Sequence, residues 1–304
     1  IQLDDPDSTL MLINIDKNDE NSLQVQHAWN TGLGSEREGI GMTAGHLLSL
    51  GNRKSTVPWA KTTDSSAQIV AIHPDNPAGT ETILTIDFFS ACAPRISYDA
   101  KRMLFLAQEK ENDPWQVWEM DLKNGNSTRI TGFEESCSGP AYLPGDRLVF
   151  SRKMVNEGYG AASVLFTMNL DGTDLNRITF QPHLDHTATI LRDGRILMLS
   201  RQLYPEKGDM MYLAMRPNGT KAELFYKGKE NSILSSQAHE TLDGYVYFTQ
   251  RENGKDRKTD LFSVHQNRPL FTRVNQSAEL PGSFYSVFSL PEGDLLVSYQ
   301  ASEE

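Results

Sequence analysis

Apolar and polar residues in this chain fall into short runs that return at an almost fixed interval. Five runs read Ile69-Val-Ala-Ile-His73, Val117-Trp-Glu-Met-Asp121, Leu165-Phe-Thr-Met-Asn169, Tyr212-Leu-Ala-Met-Arg216 and Leu261-Phe-Ser-Val-His265, and successive copies start 48, 48, 47 and 49 residues apart. A second run accompanies them at His46–Leu50, Arg102–Leu106, Arg147–Ser151, Arg195–Leu199, Tyr245–Thr249 and Asp294–Ser298. These segments are too short for amphipathic helices. Their branched and aromatic content, and turn signals such as Asp193-Gly194 and Asp243-Gly244 ahead of them, predict buried strands. A weaker strand is predicted before each turn, as at Pro140–Leu143, and a closing one at Ser127–Thr131 and Leu175–Thr179. Four antiparallel strands in a unit of this period form the blade of a β-propeller.

The ends of the chain set the blade count. The last repeat begins near Phe284 and runs out before its outer strands, while Leu12-Ile-Asn-Ile-Asp16 has the third-strand pattern with no inner strands ahead of it. The expectation is an all-β, six-bladed propeller in one domain over residues 1–304. Its blades fall at about 36–87, 92–131, 137–179, 185–227, 234–274 and 284–299, and closing strands at 9–28 complete the last of them. Joining the ends in this way removes a free sheet edge.

Composition narrows the class without naming a function. The chain has 304 residues, 38% of them hydrophobic, and a net charge of −11. That balance excludes a broad phosphate-tracking surface and hence nucleic acid as a partner. No apolar stretch approaches the roughly 20 residues that span a bilayer. The first residue is Ile1 rather than Met, which fits numbering after a removed signal peptide, and a periplasmic or secreted location is expected. Gly-x-Ser-x-Gly, His-Glu-x-x-His, Cys-x-x-Cys and phosphate-loop signatures do not occur, so no catalytic residue is nominated.

Several of these segments carry a family resemblance. Met168-Asn-Leu-Asp-Gly-Thr-Asp-Leu-Asn-Arg-Ile-Thr179 resembles the third-to-fourth strand hairpin of the TolB-type propeller repeat, and Pro94–Phe105 is similar to its first-to-second strand corner. The corner differs at Tyr98-Asp99-Ala100 and Leu143-Pro144-Gly145 and comes closer at Arg192-Asp193-Gly194. The likeness covers 93–226 well and 235–299 loosely. From Asp185 to Tyr299 the chain also resembles the propeller portion of hydrazine synthase alpha-subunit-like proteins, without their haem-attachment motifs. The TolB resemblance implies an exported propeller, monomeric by itself, that binds a protein partner or an extracellular small ligand without chemistry. In relatives fused to hydrolase domains the ring serves as a gate.

Sites in such rings lie at a mouth of the central channel, where the first strands expose their residues. Aligning the first strands on their turns places Arg37, Cys92, Ser138, His186, Ser236 and Tyr285 one per blade. Arg37, Asp185, His186, His239 and Tyr285 are the candidate ligand-binding residues, expected to converge at one mouth. His183, Asp185, His186 and His239 offer imidazole and carboxylate donors to a transition metal. The channel would then house a metal-assisted enzyme or a redox-complex subunit. The plainer reading has these residues bonded to water and backbone, and with it no cofactor is expected. Two cysteines, Cys92 and Cys137, each lie ten residues before an Arg-led second strand, which makes them a disulfide candidate. Counting from Pro94 and Pro140 instead puts them one residue out of step.

Overall fold

A computed structural model describes residues 9–15, 23–30, 40–43, 46–51, 67–73, 82–156, 160–251, 258–290 and 293–300. Among them there is no helix. In chain order the strands are β1 (Thr9–Ile15), β2 (Leu23–Asn30), β3 (Ile40–Thr43), β4 (His46–Gly51), β5 (Gln68–Ile72) and β6 (Thr82–Ile83). Then come β7 (Ser90–Ile96), β8 (Arg102–Gln108), β9 (Gln116–Asp121), β10 (Ser127–Arg129), β11 (Cys137–Leu143) and β12 (Arg147–Asn156). The middle of the chain adds β13 (Gly160–Asn169), β14 (Asn176–Arg177), β15 (His183–Ile190), β16 (Ile196–Gln202), β17 (Met211–Met215) and β18 (Glu223–Lys227). The last are β19 (Ile233–Glu240), β20 (Tyr245–Arg251), β21 (Thr259–His265), β22 (Val274–Asn275), β23 (Ser283–Ser289) and β24 (Leu295–Gln300).

Pairing follows the repeat. β3–β6, β7–β10 and β19–β22 are four-stranded antiparallel sheets in chain order. β11–β14 and β15–β18 are antiparallel sets too, joined into one larger sheet by a single parallel bridge between Ser163 and Leu184. The fourth four-stranded sheet runs β2-β1-β24-β23, with Thr9 opposite Tyr299 and Leu12 opposite Leu296, so strands from the two ends of the chain share it. The first strand of each set lies against that of the next, from β3 through β7, β11, β15 and β19 to β23, and β23 also approaches β3.

The core sits between neighbouring sheets. The fourth residue of the second strand is Phe105, Phe150 and Phe248 in three units, each fully buried. Phe150 and Phe248 stack on Phe166 and Phe262 of the adjoining third strands. Ala141, Leu143 and Val149 pack against Ile196, Met198 and Met215 of the following unit. Alternation puts every second residue of these strands into one such layer.

The closing strands β6, β10, β14 and β22 are two or three residues long, too short for ladder bonds alone to hold. A hydroxyl does it instead. The third-strand amides of Ile69, Val117, Leu165 and Leu261 donate to Thr85, Thr131, Thr179 and Ser277, at 2.8–2.9 Å. Three of these hydroxyls donate onward to the side chain just before the amide: Thr85 to Gln68, Thr131 to Gln116 and Ser277 to Asp260. Neighbouring units are tied similarly, because Ala67, Trp115 and Thr259 amides donate to Ser90, Ser136 and Ser283 at the head of the next unit.

Replacing Thr131 with Val keeps the shape and removes the acceptor for a buried amide. An unmade buried hydrogen bond costs about 1–3 kcal/mol. The unfolding free energy of Thr131→Val, read from urea unfolding, is expected to fall by that amount, lowering the midpoint with an unchanged denaturant slope. A midpoint within error of wild type would show that the hydroxyl is dispensable.

Candidate functional site

Five of the six first strands are irregular where they pair with their second strands. Register shifts interrupt β7 between Cys92 and Arg95, β11 between Ser138 and Ala141, β15 between Thr187 and Thr189, β19 between Leu234 and Ala238, and β23 between Phe284 and Ser286. A bulge releases ladder bonds and re-aims side chains. In β7 and β11 it is built on the matching phrases Cys92-Ala93-Pro94 and Ser138-Gly139-Pro140, with Ala93 and Gly139 both at φ 54°.

Pairing to the second strands defines two levels of equivalent residues. Cys92, Ser138 and His186 lie opposite Leu106, Ser151 and Leu199, the fifth positions of their partner segments. Arg95, Ala141, Thr189, His239 and Phe288 lie opposite the third positions, Leu104, Val149, Leu197, Tyr247 and Leu296. Arg95, His186 and His239 come together from these two levels. The Arg95 guanidinium reaches from β7 past β11, and its Nη2 donates to the Ala188 carbonyl of β15 at 3.3 Å. Burial lowers its pKa to about 10, which leaves it charged at neutral pH. It nevertheless keeps part of its surface accessible.

His186 Nδ1 lies 3.2 Å from Ser138 Oγ, which links β15 to β11. Its ring fills the place a side chain would take at Gly139, where a Cβ would come within 2.6 Å of His186 Cε1. His239 packs edge-on against Phe288, with ring centroids 4.6 Å apart. The pKa of each imidazole is lowered to about 3, by burial first and by the Arg95 charge second. The arrangement is one persistent cation beside two neutral rings. It can accept a negative group and donate hydrogen bonds.

Asp185 belongs to a different cluster. It pairs with Ser200 in the ladder and therefore faces away from His186, since successive side chains on a strand alternate. Ser200 Oγ donates to Asp185 Oδ1 at 2.7 Å, and His183 Nδ1 lies 3.2 Å from the same hydroxyl and 3.8 Å from that carboxylate oxygen. Thr179 also bonds Asp185, and burial raises the carboxyl pKa against these hydrogen bonds. The expected metal set of His183, Asp185, His186 and His239 is divided between two faces. Among the described residues no three His, Cys, Asp or Glu side chains gather as a metal cage. Tyr285 donates to Gln300 at 2.6 Å on its own sheet, and Arg37 lies outside the described residues.

The cysteines follow the proline register. Cys92 lies opposite Leu106 and Cys137 opposite Arg152, one position further along, which turns the two side chains to different faces. Both are buried, and neither is in a disulfide. Cys137 bonds Thr131 at 3.7 Å, and burial pushes its pKa up to about 12. The expected disulfide is not formed in this structure.

Arg95 was the residue missed. Its signal was a long cation on a first strand otherwise made of small and apolar residues, Ser90-Ala-Cys-Ala-Pro-Arg-Ile96.

The fold is that of known β-propeller proteins. A hydrazine synthase from Kuenenia stuttgartiensis matches over 87% of this chain and 43% of its own, with a TM-score of 0.73 and 18% identity. TolB from Acinetobacter baumannii matches over 97% of this chain and 65% of its own, with a TM-score of 0.57 and 13% identity. A puromycin-hydrolysing peptidase from Mycobacterium tuberculosis matches over 97% and 52%, with a TM-score of 0.58 and 15% identity. This chain spans less than two thirds of the length of each, and what it shares with them is the fold. No family model and no curated protein matches it by sequence.

The two imidazoles make stability depend on pH. An unfolded histidine titrates near pH 6.5, while His186 and His239 stay neutral in the folded chain down to about pH 3. Between those values the unfolded state binds more protons, so stability falls as pH falls and is fully present above the unfolded pKa. The slope is at most about 1.4 kcal/mol per pH unit for each ring. The His186→Gln/His239→Gln variant is expected to lose less stability than wild type on acidification through this window, read from urea midpoints. Parallel losses in the two proteins would remove the basis for this assignment.

Proposed function

We propose that residues 1–304 form one six-bladed propeller domain, an exported TolB-like scaffold that binds a protein or small ligand at a mouth of its central channel without chemistry. The ring is closed by β1 and β2, which complete the sheet of β23 and β24. The pairing of β1 with β24 and the approach of β23 to β3 support this closure. In this reading the chain is monomeric by itself and periplasmic or secreted. That no helix among the described residues is long and apolar enough to cross a membrane is compatible with such a location.

One observation carries the binding role. On the first strands His186 bonds Ser138 and the Arg95 charge lies beside His186 and His239, and this polar cluster supports a ligand lining, since structural packing alone calls for apolar contacts. A second reading draws on length: the chain spans 43% of the hydrazine synthase chain and 52% of the peptidase. It would then be the propeller part of a larger enzyme or redox complex, with a metal near Asp185, His186 and His239. The division of these residues between two faces weighs against such a centre.

A thermal-shift panel of small acids, amines, peptides and divalent metals tests the binding role. At least one class is expected to raise the midpoint of the wild-type chain and to lose that effect in Ser138→Phe, which plugs the lining. Stoichiometric transition metal in the natively purified protein, or turnover of an added ester or peptide, would overturn it. Deleting residues 1–30 tests the closure, since it exposes the β24 edge. The truncated chain is expected to lose cooperative unfolding, and a cooperatively unfolding monomer would sink the closed ring.

A further inference from the structure

We infer that the channel holds a small oxyanion, a carboxylate or phosphate group, on the Arg95 guanidinium. Resting on the reading of the channel as a ligand site, this names the chemistry of its occupant. A guanidinium carries five N–H donors in a planar fork. Arg95 uses one, to the Ala188 carbonyl, and its charge is felt by the His186 and His239 rings; no second hydrogen bond of its side chain to a described residue is seen. Charges taken out of bulk water are ordinarily paired, and this one has no carboxylate within ion-pairing distance among the described residues. Arg102, Arg129, Arg147, Arg152 and Arg195, further out on the sheets, each meet an Asp or Glu.

The first strands explain the difference. Across β3, β7, β11, β15, β19 and β23 the acidic residues are Asp185 and Glu240 alone. Asp185 is held by Ser200 and Thr179 on the face away from His186. Glu240, at the end of β19, accepts the Arg192 amide at 2.6 Å. Among the described residues of the first strands the lining therefore presents a cation and supplies no anion to it. Arg95 keeps some accessible surface, so its spare donors are within reach of a diffusing group. His239 lies within the same field, partly accessible and packed only through its ring on Phe288 among the described residues. A planar fork beside a neutral imidazole suits the two oxygens of a carboxylate or phosphate. The net charge of −11 disfavours long polyanions and leaves single small groups as the class that fits.

The test titrates the purified chain at neutral pH with sodium phosphate and, separately, with sodium acetate, at ionic strength held constant with sodium chloride. Calorimetry and thermal midpoints are read together, because excluded salts raise midpoints without binding. One anion is expected to bind saturably at one per chain, phosphate marking a phosphate ligand and acetate a carboxylate. Arg95→Met is expected to weaken it by at least about tenfold, the loss of a charge-assisted hydrogen bond. Arg95→Lys should retain part of the affinity, as a point charge without the fork. Removing an uncompensated charge leaves an anion-free fold at least as stable, so both variants remain measurable. Failure of both anions to bind saturably, or binding unchanged in Arg95→Met, would overturn the site. If the anions fail while Ser138→Phe still abolishes binding of another ligand, the oxyanion falls and the channel reading stands. If an anion binds through Arg95 and no larger ligand is held, the oxyanion site stands and the scaffold role falls.

Discussion

The hydroxyl that closes four of the units is the interaction on which the repeat depends. A third strand is held along one edge by the second strand, but its other edge meets a closing strand of only two or three residues. Thr85, Thr131, Thr179 and Ser277 each take up a third-strand amide that would otherwise be buried without a partner. The serines at Ser90, Ser136 and Ser283 do the same one step further round. Each unit thus borrows polar atoms from the end of its own repeat and the start of the next. In the β15–β18 set no hydroxyl of this kind is seen among the described residues, and β18 there extends to five residues of ladder.

The same clasp decides what Asp185 does. Where the residue before the third-strand amide is Gln68, Gln116 or Asp260, the closing hydroxyl donates to it. In the third unit that residue is Val164, which accepts nothing, and Thr179 bonds Asp185 of the next first strand instead. The carboxylate beside His186 in sequence is consumed by the joint between two units. What remains for the enclosed space is the opposite face, with His186 on Ser138 and the long Arg95 side chain.

Periodicity made the strands legible and left the side-chain directions partly hidden. All five third-strand phrases and all six second-strand phrases coincide with observed strands, because buried second and third strands tolerate little except branched and aromatic residues. The first strands are different. Their bulges shift the alternation within a single strand, so counting from one end assigns the wrong face to residues at the other. The cysteines show it: counting back from Arg102 and Arg147 makes Cys92 and Cys137 equivalent, whereas the bulge phrases at Pro94 and Pro140 give the observed offset. His186 and His239 were recognisable as first-strand residues. They occupy different levels, and Arg95, at the level of His239, was obscured by a phrase that reads as structural.

A bulge in a first strand has a cost and a use that are hard to separate. It gives up ladder bonds where strands are most crowded, and in β11 it demands a glycine, since any Cβ at Gly139 would run into the His186 ring. A repeat under selection for packing alone would keep these strands regular, as the described second strands are. Five first strands instead break register between their ends. The departures accompany a polar cluster, with His186 on Ser138 and the Arg95 charge beside His186 and His239, while Asp185 and Glu240 of those strands bond elsewhere. Irregular backbone and unbalanced charge coincide there, and that coincidence is the physical ground for the proposed binding lining.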